Sequence, residues 1–336
     1  MLREDVQNRL DSLTKPKGSL GFLEEIAAKM AMMQGRVIPE LPKKKAVYVF
    51  AADHGVVAEG VSAYPKDVTP EMVFNMLNGG AAINVLSRHV GSEVHLVDAG
   101  VDYDFEDNPN LINLKVGHGT RDCAVEAAMT PKQAAQCIEN GRTVARMAIE
   151  HGVELAAIGD MGIGNTTTAT TVAAAFGYDI DSIVDIGTKI SDEQLHTKAQ
   201  VVRRAMDLHR PFTNPMDVLT KVGGFCLGEM AGFILEFTSH HLPVVLDGYP
   251  TTAGALIAWK IDPGIIDYLF AGHRSWVKGH IVLLRDMGLR PILDLDMRLG
   301  EGTGAVLSFG IIEAAVKIMR EMATFEDASI TTGSEQ

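Results

Sequence analysis

The chain has 336 residues, with 30 lysines and arginines against 43 aspartates and glutamates, and its net charge at pH 7 is −13. This balance argues against a nucleic-acid or anionic-membrane surface, because proteins hold phosphate backbones mainly with lysine and arginine. Charged residues make up 22% of the chain and apolar residues 46%, which is typical of a globular protein of one large domain or two moderate ones.

The expected location of the protein is the cytoplasm. Its N-terminus carries charges of both signs without an apolar core, unlike a signal peptide, and its longest apolar runs, such as residues 46–52, are too short for a membrane span. Cys123, Cys137 and Cys226 are widely spaced and odd in number, which favours buried thiols over a disulfide framework. No HExxH or comparable cluster occurs, so we expect no metal site.

Six short apolar runs are each followed by a polar residue or glycine, and in most cases by a helical pattern. They are residues 46–51, 94–97, 154–158, 244–246, 268–270 and 292–295. Unbroken apolar strands separated by helices are typical of a parallel sheet covered on both faces, so the sequence predicts an α/β fold. Helices are expected at residues 131–150, from about residue 191 to 209, and after Gly304.

The two chain ends are predicted to form a smaller helical domain. It would combine residues 1–42 with the C-terminal helix at about residues 305–325, leaving residues 43–304 as the catalytic α/β domain and 326–336 as a flexible tail. Ligands of parallel α/β sheets bind beyond the carboxyl ends of the strands. The polar strand ends are therefore the candidate site.

Residues 162–167 follow a predicted strand and open a helix with two glycines, an asparagine and two threonines. Glycine lets an anion approach the backbone, and a helix start offers amide donors and the positive end of the helix dipole. The segment is equally compatible with an ordinary glycine turn capped by threonine. It does not meet the dinucleotide pattern GxGxxG, since Thr167 occupies the third glycine position.

Glu301 lies among three glycines, at positions 300, 302 and 304, just before an apolar helix. If the fold closes over it, burial would raise its affinity for protons, as a general base requires. The alternative is a solvated carboxylate that stabilises the helix N-terminus, and spacing alone favours that reading.

Other polar residues near strand ends are weaker candidates. His54 and His273 are more typical of turns than of nucleophile activation, and no GxSxG elbow for a serine hydrolase is present. An acidic chain that binds an anion must supply local cations. Lys189 and Lys198, near Gly187, could do so, although most lysines are simply solvated.

Several motifs together resemble one enzyme family. They lie at residues 13–24, 52–56, 60–65, 79–83, 161–167 and 300–304. In this order the chain resembles the nicotinate-nucleotide:5,6-dimethylbenzimidazole phosphoribosyltransferases, which make the lower-ligand nucleotide of cobalamin, from about residue 13 to 320. The resemblance implies a Rossmann-like sheet, a small helical domain and a dimer.

The resemblance also implies roles for individual residues. The nucleotide and its phosphate would be bound by Gly162, Gly164, Asn165, Thr166, Thr167, Gly187 and Lys198. The aromatic acceptor would lie near Tyr64, Met72, Asp160 and Leu299, and the nicotinate side near Gly272 and Ser275. Glu301 would be the general base. The leaving pyridine departs without protonation, so the reaction needs no general acid, metal or redox cofactor.

Departures from the family pattern concern the acceptor more than the donor. They are Glu71, Asp160, Lys189, Pro250, Trp276 and Val277. Some members of the family act on phenol or p-cresol as two unlike homologous subunits, so this acceptor class and a heterodimer are the alternatives to a benzimidazole and a homodimer.

Two other classes of protein are disfavoured by the sequence. An inactive scaffold subunit is disfavoured by the presence of Glu301 and the 162–167 segment. A nicotinamide-dependent oxidoreductase would carry GxGxxG after its first strand, which is absent here.

Overall fold

The structure of the protein is a computed structural model that describes residues 1–184 and 192–331. Within these residues, seven parallel strands form one sheet in the order β3-β2-β1-β4-β5-β6-β7. They are β1 (Lys45–Ala52), β2 (Glu93–Gly100), β3 (Leu111–Asn113), β4 (Leu155–Met161), β5 (Val244–Leu246), β6 (Leu269–His273) and β7 (Pro291–Leu293). The predicted α/β fold with a parallel sheet is confirmed.

Helices cover both faces of the sheet. They are α1 (Leu2–Ser12), α2 (Phe22–Met33), α3 (Val68–Leu77), α4 (Ala82–Val90), α5 (Pro131–Glu150), α6 (Asn165–Ala175), α7 (Ile180–Ile183), α8 (Asp192–His209), α9 (Pro215–Val222), α10 (Phe225–Ser239), α11 (Tyr249–Ile261), α12 (Lys278–Asp286), α13 (Thr303–Leu307) and α14 (Phe309–Glu321). In one hydrophobic cluster, helices α5 through α12 pack on one face of the sheet. In the second, helices α1 through α4, α13 and α14 pack on the other face.

Strand β1 shows why the apolar runs are unbroken. Tyr48 and Phe50 belong to the cluster on one face, whereas Val47 and Val49 belong to the cluster on the other, and all four are buried. Side chains alternate between the two faces of a strand, so a strand covered on both sides has no position for a solvated residue.

The structure differs from the sequence prediction at two places. The three-residue edge strand β3 was not predicted, because its short, mixed pattern after Pro109 lacks the apolar run of the other strands. The predicted C-terminal helix is divided at Ser308 into α13 and α14. The predicted start of α8 at residue 191 lies outside the described residues, and the helix is described from Asp192.

The terminal helices pack against each other. Leu13 forms a β-bridge with Thr324, and the Arg9 side chain donates to the Met319 carbonyl oxygen at 3.2 Å. Helices α1 and α14, which contain Arg9 and Met319, both belong to the second hydrophobic cluster. The division into two domains stays a prediction. The predicted tail is exposed from residue 326 to 331, and residues 332–336 lie outside the described residues.

None of the helices in the described ranges is long and apolar enough to cross a bilayer. The same ranges contain no group of three or more His, Cys, Asp or Glu side chains arranged to hold a metal ion.

Glu229 of α10 should make stability depend on pH. Burial raises the pKa of its carboxyl well above the usual range, so the folded state keeps a proton that the unfolded state releases above about pH 4.3. Stability should therefore fall as the pH rises from that value towards the folded pKa, by up to about 1.4 kcal/mol per pH unit. Glu229→Gln keeps an acceptor for the Asn140 amide, 3.0 Å away, and should be more stable than the wild type at about pH 8.

Urea unfolding at several pH values measures this difference. The gap between Glu229→Gln and the wild type should widen from about pH 5 to about pH 8. Glu150→Gln, at the exposed end of α5, is the matched control and should follow the wild type. A gap that does not change with pH would mean that Glu229 is ionised in the folded protein.

Candidate active site

An open cleft lies where the carboxyl ends of β4, β5 and β6 meet the loop after β7. It contains about 930 Å³ of space between protein atoms, with its open mouth included. The described residues that line it are Val61, Ser62, Ala63, Tyr64, Asp160, Gly162, Ile163, Gly164, Asn165, Thr166, Lys198, Asp247, Gly248, Tyr249, Pro250, Thr251, His273, Ser275, Val277, Arg298, Leu299 and Gly300. The cleft occupies the sheet edge that the polar strand ends predicted.

The 162–167 loop forms one wall of the cleft and leads directly into α6. Gly164 precedes the helix with φ +90°, and a Cβ on Gly162 would lie 2.0 Å from the carbonyl oxygen of Ala52. Asn165 and Thr166, in the first turn, line the cleft, so the positive end of the α6 dipole faces it. Such a wall can bind an anionic group through backbone and hydroxyl donors.

Lys198 brings a positive charge to the same wall. Lys198 lies in α8 and is 3% exposed, and its Nζ donates to the Thr166 hydroxyl at 3.1 Å. A buried ammonium beside a helix N-terminus is well suited to a phosphate group. Gly187 and Lys189, predicted nearby, lie outside the described residues.

Glu301 is buried next to Gly300, which lines the cleft, but Glu301 itself is not among the described residues that line it. Its side chain is 5% exposed, and its Oε2 accepts a hydrogen bond from the Ile83 N–H, in the first turn of α4, at 3.3 Å. Burial raises the pKa of the Glu301 carboxyl above its usual range; the hydrogen bond from Ile83 opposes this shift, and the negative charge of Asp247 adds to it. The solvated alternative considered from the sequence is therefore wrong.

Asp160 is the second carboxylate of the cleft. Its Oδ2 accepts from the Asn165 amide at 2.6 Å, and its buried Oδ1 has no hydrogen-bond partner among the described residues. Burial raises the pKa of Asp160 to about 6 and the negative charge of Asp247 adds to this, although the nearby Cys226 thiol and the hydrogen bond from Asn165 oppose the shift. Asp160 lines the cleft, and a carboxylate in this position can accept a hydrogen bond from a ligand.

The structure brings together most of the site residues predicted from the sequence, but not all of them. Those that line the cleft are Tyr64, Asp160, Gly162, Gly164, Asn165, Thr166, Lys198, Ser275 and Leu299. Four others do not line it: Thr167 and Glu301 are buried, Met72 packs in the second hydrophobic cluster, and Gly272 packs against the backbone of Ala305. Gly187 lies outside the described residues. Tyr64 and Leu299 are 52% and 57% exposed, so both offer apolar surface to a ligand in the cleft.

The two histidines considered from the sequence differ in their position: His273 lines the cleft, whereas His54 does not. His54 is buried beneath the 162–167 loop, where its Nδ1 lies 2.9 Å from the Thr168 hydroxyl and burial lowers the pKa of the imidazole to about 4. It is therefore a neutral packing residue. His273 lines the cleft, with its Nδ1 3.5 Å from Oδ1 of Asp247.

The cleft residues that were not singled out as site residues include Asp247, Tyr249 and Arg298. Asp247 was recognised only as a strand end, and Arg298 and Tyr249 carried no local signal. Arg298 stacks on Trp276, a position that departs from the family pattern, with its guanidinium carbon 5.0 Å from the ring centroid. The sequence signal for Asp247 was its place directly after β5, the kind of position that carries ligand-binding residues in parallel sheets.

The chain is similar to known proteins over almost its whole length. A family model described as phosphoribosyltransferase matches residues 1–330. The nicotinate-nucleotide–dimethylbenzimidazole phosphoribosyltransferase of Geobacter sulfurreducens is 50% identical over 334 residues, covering 99% of this chain and 95% of that protein. The crystal structure of the enzyme of that name from Thermus thermophilus aligns with a TM-score of 0.94 at 48% identity. A crystal structure of CobT from the same organism aligns with a TM-score of 0.96 at 49% identity. Each alignment covers 99% of both chains. The chain therefore belongs to the phosphoribosyltransferase family, as its motifs predicted.

Proposed function

We propose that this enzyme transfers 5-phosphoribose from nicotinate mononucleotide to 5,6-dimethylbenzimidazole, giving α-ribazole phosphate and nicotinate. The observation that supports the proposal is a cleft with an anion-binding wall at residues 162–166, next to which the carboxylate of Glu301 is buried: its neighbour Gly300 and its backbone partner Asp160 both line the cleft. The relatives at about half identity bear the name of this reaction.

The donor needs little help to release its leaving group. In nicotinate mononucleotide the bond from C1′ of ribose to the pyridinium nitrogen breaks, and its electron pair neutralises the ring. A nitrogen of dimethylbenzimidazole attacks C1′ from the opposite face, so a β-nucleotide becomes an α-nucleotide. No step requires a metal or a redox cofactor, and a large part of the rate enhancement would come from positioning the two substrates.

Glu301 would accept the proton that the acceptor loses. Once one ring nitrogen has bonded to C1′, the other nitrogen carries a proton on a positively charged ring. A carboxylate whose pKa is raised by burial is a stronger base than a solvated one and fits this role. The carboxylate of Asp160, which lines the cleft, would help to orient the acceptor near the side chains of Tyr64 and Leu299.

The donor would lie along the other wall. Its phosphate would contact Gly162, Gly164, Asn165 and Thr166 with Lys198 as counter-charge, and its pyridine ring would lie towards Ser275. Gly187 would belong to the same site by family resemblance. We also propose that the enzyme is a homodimer, which light scattering of the purified protein would test, and that it is located in the cytoplasm, which cell fractionation would test.

The assay is transfer from nicotinate mononucleotide to either dimethylbenzimidazole or phenol, with the α-nucleotide identified by mass and chromatographic retention. We expect α-ribazole phosphate from the benzimidazole and no phenolic nucleotide above the level without enzyme. Product from phenol alone would assign the enzyme to the phenolic acceptor class. No product from either acceptor would contradict the proposed function of the purified chain.

A further inference from the structure

The backbone around Glu301 has an uncommon conformation. Gly300, Glu301 and Gly302 are consecutive residues with φ of +95°, +63° and +90°. Of the three, only Glu301 has a side chain, and this left-handed conformation is unfavourable for a residue that has one. Surrounding contacts must therefore hold Glu301 in place.

Asp247, at the end of β5, supplies the strongest of these contacts. Its Oδ1 accepts from the Gly304 N–H at 2.8 Å and from the Ala305 N–H at 3.1 Å, and its Oδ2 accepts from the Gly302 N–H at 3.1 Å. Both oxygens thus bind the chain directly after Glu301. Because α13 has five residues and no capping side chain of its own, this carboxylate takes the place of its N-cap.

Strand β4 holds the same loop from the other side. The Glu301 N–H donates to the Asp160 carbonyl oxygen at 3.3 Å, and a Cβ on Gly159 would lie 2.5 Å from the Glu301 carbonyl oxygen. The loop is thereby fixed between β4 and Asp247. Its one carboxylate side chain is directed to the N-terminus of α4, where it meets the Ile83 N–H.

We propose that Asp247 is the positioning residue of the base, holding the strained turn that keeps the Glu301 carboxylate buried beside the cleft. This role rests on the proposed function. Asp247 itself is 1% exposed and does not need to touch either substrate to act in this way.

The charges around Glu301 give this role a measurable consequence. The titratable groups at the surrounding strand ends are Asp247 on β5, Asp160 on β4 and His273 on β6, while α4 contributes a backbone N–H. Removing the negative charge of Asp247 should lower the pKa of Glu301, and a loosened turn that admits water should lower it further. In a plot of kcat against pH, the acid limb is the range in which kcat rises as Glu301 loses its proton. Both effects move this limb to lower pH.

The test is Asp247→Asn, which keeps the shape of the side chain but replaces one accepting oxygen with an NH₂ group. We expect kcat to fall about 10- to 100-fold, donor affinity to change by less than about twofold, and the acid limb to move to lower pH. Asp207→Asn, on the exposed face of α8, is the matched control and should behave as the wild type. A loss of active protein alone would reduce the rate without moving the limb.

A double-mutant cycle separates positioning from an independent effect. If Asp247 acts through Glu301, Asp247→Asn should cost little further kcat in a Glu301→Gln background. Additive losses, or an unmoved acid limb, would overturn the positioning role. If Asp247→Asn does not fold, Asp247→Glu displaces the same two oxygens by one methylene and is tested identically. Absence of wild-type turnover would instead contradict the proposed function.

Discussion

Replacing Glu301 with glutamine should lower kcat by roughly 10²- to 10⁴-fold and leave the affinity for nicotinate mononucleotide nearly unchanged. Glutamine has almost the same shape, and its amide oxygen can still accept from the Ile83 N–H, but it cannot take a proton from the acceptor. Steady-state kinetics with dimethylbenzimidazole measure kcat, and calorimetry without acceptor measures donor binding.

The pH profile of the wild type gives an independent check. Protonated Glu301 cannot act as the base, so kcat should fall as the pH drops through its raised pKa, above the value of about 4.3 for an unperturbed glutamate. The Glu301→Gln variant should lack this limb. The control variant Glu150→Gln should retain both the rate and the limb. Unchanged turnover in Glu301→Gln would remove this residue from the reaction.

Replacing Lys198 with methionine should weaken donor binding about 10- to 100-fold, which corresponds to the loss of one charge-assisted hydrogen bond. Methionine retains an apolar stem of similar length in this buried position, so the main change is the missing charge beside Thr166. Calorimetric titration with nicotinate mononucleotide measures the loss. At saturating donor, kcat should change much less than affinity.

Salt dependence and a matched lysine complete this test. Added salt should weaken donor binding to the wild type more than to Lys198→Met, because the variant has lost one of the attractions that ions screen. Lys132→Met, at the exposed start of α5, should bind the donor as the wild type does. Equal donor affinity in Lys198→Met and the wild type would show that the phosphate is bound elsewhere.

The fold was largely readable from the sequence where burial is complete. Strand β1 has apolar residues at every inner position because both of its faces are covered. Helix α5 begins at Pro131 after the N-cap residue Thr130, whose hydroxyl accepts from the Gln133 N–H at 3.2 Å. Strand β3 escaped prediction because three residues at a sheet edge need no periodic pattern. Its partner β2, rather than its own sequence, makes it a strand.

The sequence by itself determined the parallel sheet, the edge at which the cleft lies and, through its motifs, the phosphoribosyltransferase family. It left open whether Glu301 was buried or solvated, because a carboxylate among glycines before a helix is compatible with both. Only the tertiary structure decided this, through contacts with Ile83, Gly159 and Asp247, all of which are distant from this loop along the chain. Local sequence fixes which backbone conformations a loop can adopt, whereas the dielectric environment and hydrogen bonds of its side chain come from segments that only folding brings near.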